Sequence, residues 1–532
     1  MAASKSSTPV DLSVAMIVEP PPLADWLVIA PVALCLVVGA FLLMVRKRTA
    51  LNAAIAIPTL IVLVVIDTGL LVHVMREGAV AMTMGRWMPP FGITFTVDLF
   101  GAAFNLAAGV VALACGIYGL SDIDDTGRRY GFYPFLILLM AGVSGAFLTG
   151  DVFNLYVWFE VLLIASFGLL VLGSQKGQLD GATKYAFLNL VATTLFLIAT
   201  GYMYGIFGTL NMADIAAKSG AMRDTAPLVT LSALFLFAFA MKAAAFPVNF
   251  WLPASYHTPR IVVAALFAGL LTKVGIYSLA RILFIMFPAE RDLLAFTIAV
   301  IAVLTMITGV LGAIAQNDIR RMFGYLVISG IGVMLAGLAL GSPGGVSGAL
   351  FYAIHSIIVM TALYMVAGIA GRLTRSFDLS TSGGLYASHI GFAMISLILF
   401  LSISGLPPFS GLWPKIVLVK ASLDVGAWWL AGAILISGFL TTIAVGRVFA
   451  LAYWRPARQA PSDTTVALPM SLTVPLLALT GLSVAIGIYP EPLLALTQNA
   501  AEAMLRPESY IGAVFPEGAR LPVTLPSQDI RP

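Results

Sequence analysis

FLFAFAMKAAAFPVNFWLPASYHTPRIVVAALFAGLLTKVGIYSLA, residues 235–280, decides the fold. Two apolar runs flank a short polar connection, and each run holds one lysine, Lys242 and Lys273. Runs of about 20 apolar residues are long enough to cross a roughly 30 Å hydrocarbon core as helices. The first run is interrupted by Pro247 and Pro253, which lack the backbone donor a continuous helix needs.

Similar runs recur on both sides, from Trp26 to Pro490. Charged and Pro/Gly breaks divide them into about fourteen helices, near 24–45, 51–74, 97–120, 130–149, 152–173, 182–207, 227–250, 260–284, 292–315, 321–340, 346–371, 388–420, 425–451 and 467–489. The connections are short apart from about 210–226, about 373–387 and the termini, leaving no room for a separate soluble domain. The 532 residues are 60% hydrophobic and 10% charged, with a mean hydropathy of +0.99. A soluble domain carries roughly 25% charged residues, so this chain cannot cover itself with a solvated surface. Lipid-exposed backbone must satisfy itself internally, which requires helices here, and the short alternating segments of a membrane barrel are absent. The expected fold class is therefore an all-α polytopic membrane protein.

Composition excludes several functions. Cys35 and Cys115 lie inside apolar runs and offer neither a disulfide framework nor a metal cluster. A net charge of +4, placed mostly in connections, gives no support to nucleic-acid binding. The N-terminus to Glu19 is polar, and no secretory signal is evident. No Walker A loop, GxGxxG, zinc spacing or Ser/His/Asp constellation occurs in a plausible setting, so neither a cofactor nor a metal is expected. Energy from ATP or a redox cofactor would have to enter through another subunit.

Loop charge sets the orientation. Connections after odd-numbered spans hold Arg46, Lys47, Arg48, Arg128, Arg129, Lys176, Lys184, Arg260, Arg320, Arg321, Arg372, Arg375, Arg455 and Arg458. Those after even-numbered spans hold Arg76, Arg86, Lys218, Arg223 and Arg291. The excess of Lys and Arg places the first group in the cytoplasm and both termini outside.

An ionisable side chain at bilayer depth costs roughly 2.5–3.5 kcal/mol even on insertion scales, so each one is a functional candidate. Four stand out: Glu160 in NLYVWFEVLLIASFG (span five), Lys242 (span seven), Lys273 (span eight) and Lys415 in SGLPPFSGLWPKIVLVK (span twelve). Lysines near helix ends can instead snorkel to the headgroups, and Glu160 can serve a structural salt bridge with a lysine. For transport the chemistry is direct. Burial disfavours the charged form of either group, and a close opposite charge restores it. A Glu–Lys pair that parts and rejoins would switch its lysine between holding and releasing a proton.

Gly405, Pro407, Pro408 and Gly411 precede Lys415 and should break span twelve as Pro247 breaks span seven. Paired broken helices mark ion paths in transporters built from inverted repeats, which suggests repeats of spans 4–8 and 9–13. Weaker candidates are His355 in FYAIHSIIVM, Asp67 and His73 in span two, and His257 near the cytoplasmic end. A hydrogen-bonded core histidine is as good a reading of His355 as a relay member, and packing is the better reading of Asp67 and His73. Asp98 and Asp151, at span edges, read as caps or water-facing charges.

From about Trp87 to Arg455 the sequence resembles the antiporter-like family shared by Mrp cation/proton antiporters, respiratory complex I and membrane-bound hydrogenases. The motifs that carry the resemblance are TGDVFNLYVWFEVLLIASFGLL (149–170), KAAAFPVNFWLPASYHTP (242–259), ALFAGLLTKVGIYSL (265–279), QNDIRRMFGYLVISGIG (316–332) and SGLPPFSGLWPK (404–415). The first is most similar to the D-type subunits of Mrp antiporters. The resemblance implies fourteen helices with two inverted five-helix repeats, each holding one broken helix. It also implies that Glu160 pairs with Lys242, that Lys273 is central, and that Lys415 faces the outer exit. Many relatives carry a lysine about a turn after the histidine of helix eleven. Here that position falls at Met360, which cannot carry a proton, so the route would rest on His355, Tyr352, Tyr325 and water.

The expected function is the proton-translocating subunit of a multi-subunit Na⁺/H⁺ or K⁺/H⁺ antiporter in a bacterial inner membrane. It would work with other Mrp-type subunits and use Glu160, Lys242, Lys273, His355 and Lys415. One alternative is a pumping subunit of complex I or a hydrogenase. Another is a stand-alone transporter of an organic solute, which the scarcity of polar residues within the spans disfavours. The matching division is 1–129 for three N-terminal helices, 130–285 and 286–452 for the two repeats, and 453–532 for the last helix and tail.

Overall fold

A computed structural model describes residues 16–17, 20–457 and 468–515. Arg458, counted in the charge bias, and most of the polar N-terminal stretch lie outside the described residues. The chain enters through a 3₁₀ turn, Leu23–Val28, into α1 (Ala30–Met44) and α2 (Thr49–Glu77). The first departure from the expected plan follows. Residues 78–98 form an antiparallel hairpin, β1 (Val80–Thr83) with β2 (Thr94–Val97), registered Val80 to Val97 and Thr83 to Thr94. It lies between spans, where backbone groups can pair across strands without breaching the helical rule of the lipid core.

Next come α3 (Leu99–Asp122), the short α4 (Asp125–Tyr130), α5 (Phe132–Leu148), α6 (Val152–Leu170) and α7 (Lys176–Phe207). The connection expected at 210–226 folds instead into α8 (Met212–Met222), capped by Asn211, whose side chain accepts from the Ala213 and Asp214 amides. Span seven is α9 (Leu228–Ala243) followed by α10 (Trp251–Ser255), with the expected break between them. Beyond it run α11 (Ile261–Ala280), α12 (Pro288–Ala315), α13 (Ile319–Leu340) and α14 (Pro343–Thr374). After α15 (Leu385–Ser388), span twelve is likewise split, into α16 (Ile390–Ser404) and α17 (Leu412–Asp424). The chain continues through α18 (Trp428–Val448) and α19 (Met470–Ile488). It then adds two helices where a plain tail was expected, α20 (Glu491–Leu505) and α21 (Glu508–Val514).

Ten of these helices, counting π-helical extensions at 281–286 and 449–454, are long and apolar enough to cross a membrane. Shorter apolar helices α1, α5, α9 and α16 stand at the four remaining expected spans. The chain is a multi-span membrane protein. Helix starts follow local chemistry: Asp98, Asp151, Asp318 and Ser342 each accept a backbone N–H of the first turn of α3, α6, α13 and α14.

Burial separates an inner set of helices from an outer one. Every residue of α11 is buried, and α13 and α14 are nearly so, whereas α2, α7, α12 and α19 keep broad exposed faces. A helix apolar on all sides belongs inside the bundle. Lys273 and His355 are carried by α11 and α14, so these polar groups sit at the centre of the molecule and not on a lipid face.

Candidate functional site

The site is built around the two helix breaks. At the first, α9 ends at Ala244, a non-glycine residue with φ +60°. That conformation costs roughly 1–2 kcal/mol, so the surroundings must hold it. Thr305 of α12 accepts the freed Phe246 amide at 3.0 Å, and the indole Nε1 of Trp251 donates to the Met241 carbonyl at 3.0 Å. At the second, α16 ends at Gly405 with φ +82°, where glycine meets no such cost. Here the ammonium of Lys415 donates to the Ser404 carbonyl at 2.7 Å and the Ile403 carbonyl at 3.3 Å. Each break therefore has a carbonyl of its last turn satisfied by a side chain from the segment beyond it.

Lys242, in the last turn of α9, is 4% exposed. Its Nζ donates to Thr193 Oγ1 of α7 at 2.8 Å and lies 4.7 Å from the centre of the Phe159 ring. Glu160 is one residue beyond that ring, on α6. Glu160 and Lys242 are nonetheless not within the 4.0 Å of an ion pair, and Glu160 Oε1 is buried without a hydrogen-bond partner. The pairing implied by the family resemblance is thus open: Thr193 occupies the lysine, and the acid waits with a free acceptor.

Lys273 is fully buried and donates to the Ala268 carbonyl of its own helix at 2.5 Å. Two residues on, Gly275 lies against the backbone of Lys242 and Ala243, where an added Cβ would stand 3.0–3.3 Å from those atoms. The close approach of α11 to α9 brings the two lysine-bearing segments together. Gly269 performs the same office towards α14, against Thr361 and the Ile357 carbonyl.

His355 is 1% exposed. Its Nδ1 meets Ser410 Oγ at 2.8 Å, and its ring abuts Gly411, both inside the second break. Ser410 in turn contacts Ser402 at 3.0 Å and Ser483 of α19 at 2.8 Å, and Ser402 and Ser483 are 3.0 Å apart. Hydroxyls both donate and accept, so this three-serine cluster can rearrange its hydrogen bonds without leaving a group unmatched. His355 Nε2 has no partner. Met360 is fully buried further along α14, as its apolar side chain predicts.

The remaining candidates separate. His257 is held between the Pro253 carbonyl at 2.9 Å and Arg321 Nη2 at 3.1 Å, and burial with the Arg321 charge lowers its pKa. Asp151 caps α6, accepting from the Asn154 amide at 2.8 Å, and burial pushes its pKa up to about 6. Asp98 caps α3 but is not water-facing: it is 5% exposed and clamped by Arg281, which is 1% exposed. The Arg281 Nη1–Asp98 Oδ2 contact is 2.6 Å, and Arg281 Nε also donates to Tyr277 Oη at 2.9 Å. His73 pairs with Asp25 at 3.1 Å.

Thr193, Arg281 and the serine cluster were not singled out from the sequence. The serines carry no charge and no motif, so only their convergence in space identifies them. Arg281 had a signal in its position: an arginine in an apolar helix end invites a search for a buried acid.

The family described as NADH:quinone oxidoreductase/Mrp antiporter, transmembrane, matches residues 149–441, which span both breaks and all five candidate residues. The chain is 38% identical to the D-type subunit of the Na⁺/H⁺ antiporter of Alkalihalophilus pseudofirmus, over 92% of this chain and 99% of that one. It superposes on a chain of the Mrp complex from Dietzia sp. DQ12-45-1b with a TM-score of 0.86 at 28% identity, covering 93% of this chain and 100% of that one. It also resembles a chain of the membrane-bound sulfane sulfur reductase, an archaeal respiratory membrane complex, with a TM-score of 0.84 at 25% identity over 92% and 99% of the two chains.

Proposed function

The chain belongs to the NADH:quinone oxidoreductase/Mrp antiporter family of membrane proteins, and on that premise we propose that it is the proton-translocating subunit of a multi-subunit Na⁺/H⁺ or K⁺/H⁺ antiporter. The observation that carries the reading is the arrangement of buried ionisable groups. Lys242 ends one helix at a break and Lys415 follows the other, while Lys273 and His355 occupy the innermost helices between them.

The route runs Glu160, Lys242, Lys273, His355, Lys415. A proton on Lys242 is released when the ammonium stands apart from Glu160 with only the neutral Thr193 hydroxyl as partner, and retained when the ammonium swings to the free oxygen of Glu160. Lys273 has only a backbone carbonyl as partner, so it takes up and passes on a proton without breaking a side-chain pair. His355 bridges towards Lys415 through the hydroxyl of Ser410 and the serines behind it. Past Met360 the route rests on His355, Tyr352, Tyr325 and water. Opposed movement of Na⁺ or K⁺ involves sister subunits of the same complex, driven by the transmembrane proton gradient.

The complex resides in a bacterial inner membrane, with both termini outside as the loop charges require. The two breaks support the division into 130–285 and 286–452 as inverted five-helix repeats, between three N-terminal helices (1–129) and a last helix with its tail (453–532). The chain acts as a transporter subunit and not as an enzyme. The similarity to a respiratory complex keeps one alternative in view, a pumping subunit of a redox enzyme such as complex I or a hydrogenase.

Glu160→Ala and Lys242→Ala each should abolish cation-dependent proton flux in vesicles while the complex still assembles. Wild-type flux in either variant at matched protein levels would defeat the relay. Flavin or iron–sulfur subunits in the purified intact complex would instead favour the redox alternative.

A further inference from the structure

Away from the central line, Asp67 of α2 is fully buried among Leu60, Leu63 and Leu70 of its own helix. Its Oδ1 accepts from Asn105 Nδ2 of α3 at 2.7 Å, and Asn105 is fully buried as well. Two atoms of this pair have no partner: Asp67 Oδ2 and Asn105 Oδ1. Both are acceptors if the acid is ionised. Gly109, one turn beyond Asn105, packs so closely that an added Cβ would stand 2.6 Å from Asp67 Oδ2.

No cationic side chain balances Asp67 among the described residues. The titratable groups around it are few. Cys35 of α1 interacts with it, His73 with its partner Asp25 lies six residues further along α2, and α5 contributes only Tyr133. Asp98 and Asp122 stand at the two ends of α3, and Asp125, Arg128 and Arg129 belong to α4 beyond it. An ionised carboxylate in such a place carries a desolvation cost that one amide hydrogen bond does not offset. A proton on Oδ2 removes the charge and changes one of the two unmatched acceptors into a donor. The acid and the amide then have complementary groups for a two-bond pair, N–H to Oδ1 and O–H to the amide oxygen.

We propose that Asp67 and Asn105 form a proton-binding site in the N-terminal helices, in which Asp67 is held as a neutral acid paired with Asn105. The site is separate from the Glu160–Lys415 line. Its ligand is a proton and not a metal cation, since the pair offers only two free oxygens where Na⁺ would need a fuller shell.

A hydrophobic carbodiimide tests this on the intact complex in vesicles. The reagent takes the proton of a neutral carboxyl and forms an O-acylisourea, which rearranges to a stable N-acylurea that mass spectrometry locates. Asp67 should be modified at neutral pH, to the same extent with or without added Na⁺ or K⁺, and Asp67→Asn should lose the modified peptide. The exchange Asp67→Asn with Asn105→Asp preserves one acid and one amide, so it should assemble and carry the label at position 105. An unmodified Asp67 in the wild-type complex, under conditions that label another buried carboxyl, would overturn the proposal. Suppression of the label by Na⁺ or K⁺ would overturn it too, in favour of a cation site.

Discussion

Replacing Thr193 by valine keeps the side chain's branched shape and removes the one hydroxyl that holds the Lys242 ammonium. A hydrogen bond to a charged group contributes about 1.5–3 kcal/mol. Glu160 Oε1, with no partner of its own, is the competing acceptor near Lys242. Losing the Thr193 bond therefore moves the balance between the open and closed arrangements of the Glu–Lys pair by a factor of about 10–150, since 1.4 kcal/mol is tenfold. A pair locked shut cannot alternate. Cation-dependent proton flux in everted vesicles, followed with a pH-sensitive dye and normalised to assembled complex, should fall about tenfold or more. Thr193→Ser, which restores the donor–acceptor hydroxyl, should keep most of the flux. Flux in Thr193→Val within about twofold of the wild type would refute the reasoning, because a switch shifted by that much free energy cannot leave turnover untouched.

Three further outcomes are expected. Arg281→Met leaves Asp98 buried and unpaired and should destabilise the protein by about 3–5 kcal/mol, whereas adding Asp98→Asn, which keeps the helix cap, should recover most of the loss in thermal denaturation of the purified protein. Asp151→Asn also keeps its cap, and since burial raises the native carboxyl above its unfolded value, the charge penalty is complete above about pH 6 and fades as pH falls towards 4. The variant should therefore be more stable by at most about 3 kcal/mol at neutral pH, with no gain near pH 4, as melting curves across that range would show. Ser410→Ala removes the hydrogen-bond partner of His355 Nδ1, a neutral bond of about 0.5–1.5 kcal/mol, and should slow proton flux about 2- to 12-fold with assembly unchanged.

Hydropathy made the membrane helices legible because burying about 20 apolar residues leaves a lipid-spanning helix little alternative. Pro247 and Pro408 marked the two breaks for an equally local reason, the missing backbone donor. The hairpin at Val80–Val97, α8 and α20–α21 were not legible, since segments outside the lipid core are free to adopt several forms and tertiary packing selects among them. Among the candidate residues, Lys242, Lys273 and Lys415 announce themselves by charge in apolar surroundings. Their partners do not. Thr193, Ser410 and the backbone carbonyls at 268, 403 and 404 are ordinary in sequence and acquire meaning only through distance. The implied Glu160–Lys242 contact is open for the same reason, because a threonine on a third helix intercepts the lysine.

The two helix breaks differ in what seals them. The carbonyl near the first is met by an indole N–H, which keeps its hydrogen at every physiological pH. Those at the second are met by an amine, whose count of hydrogens changes with its charge. The seal at the first break therefore keeps its hydrogen whatever the protonation of Lys242 in the same turn. Two segments that resemble one another in outline are thus sealed by unlike chemistry, one by a donor of fixed hydrogen count and one by a donor whose hydrogen count follows its charge.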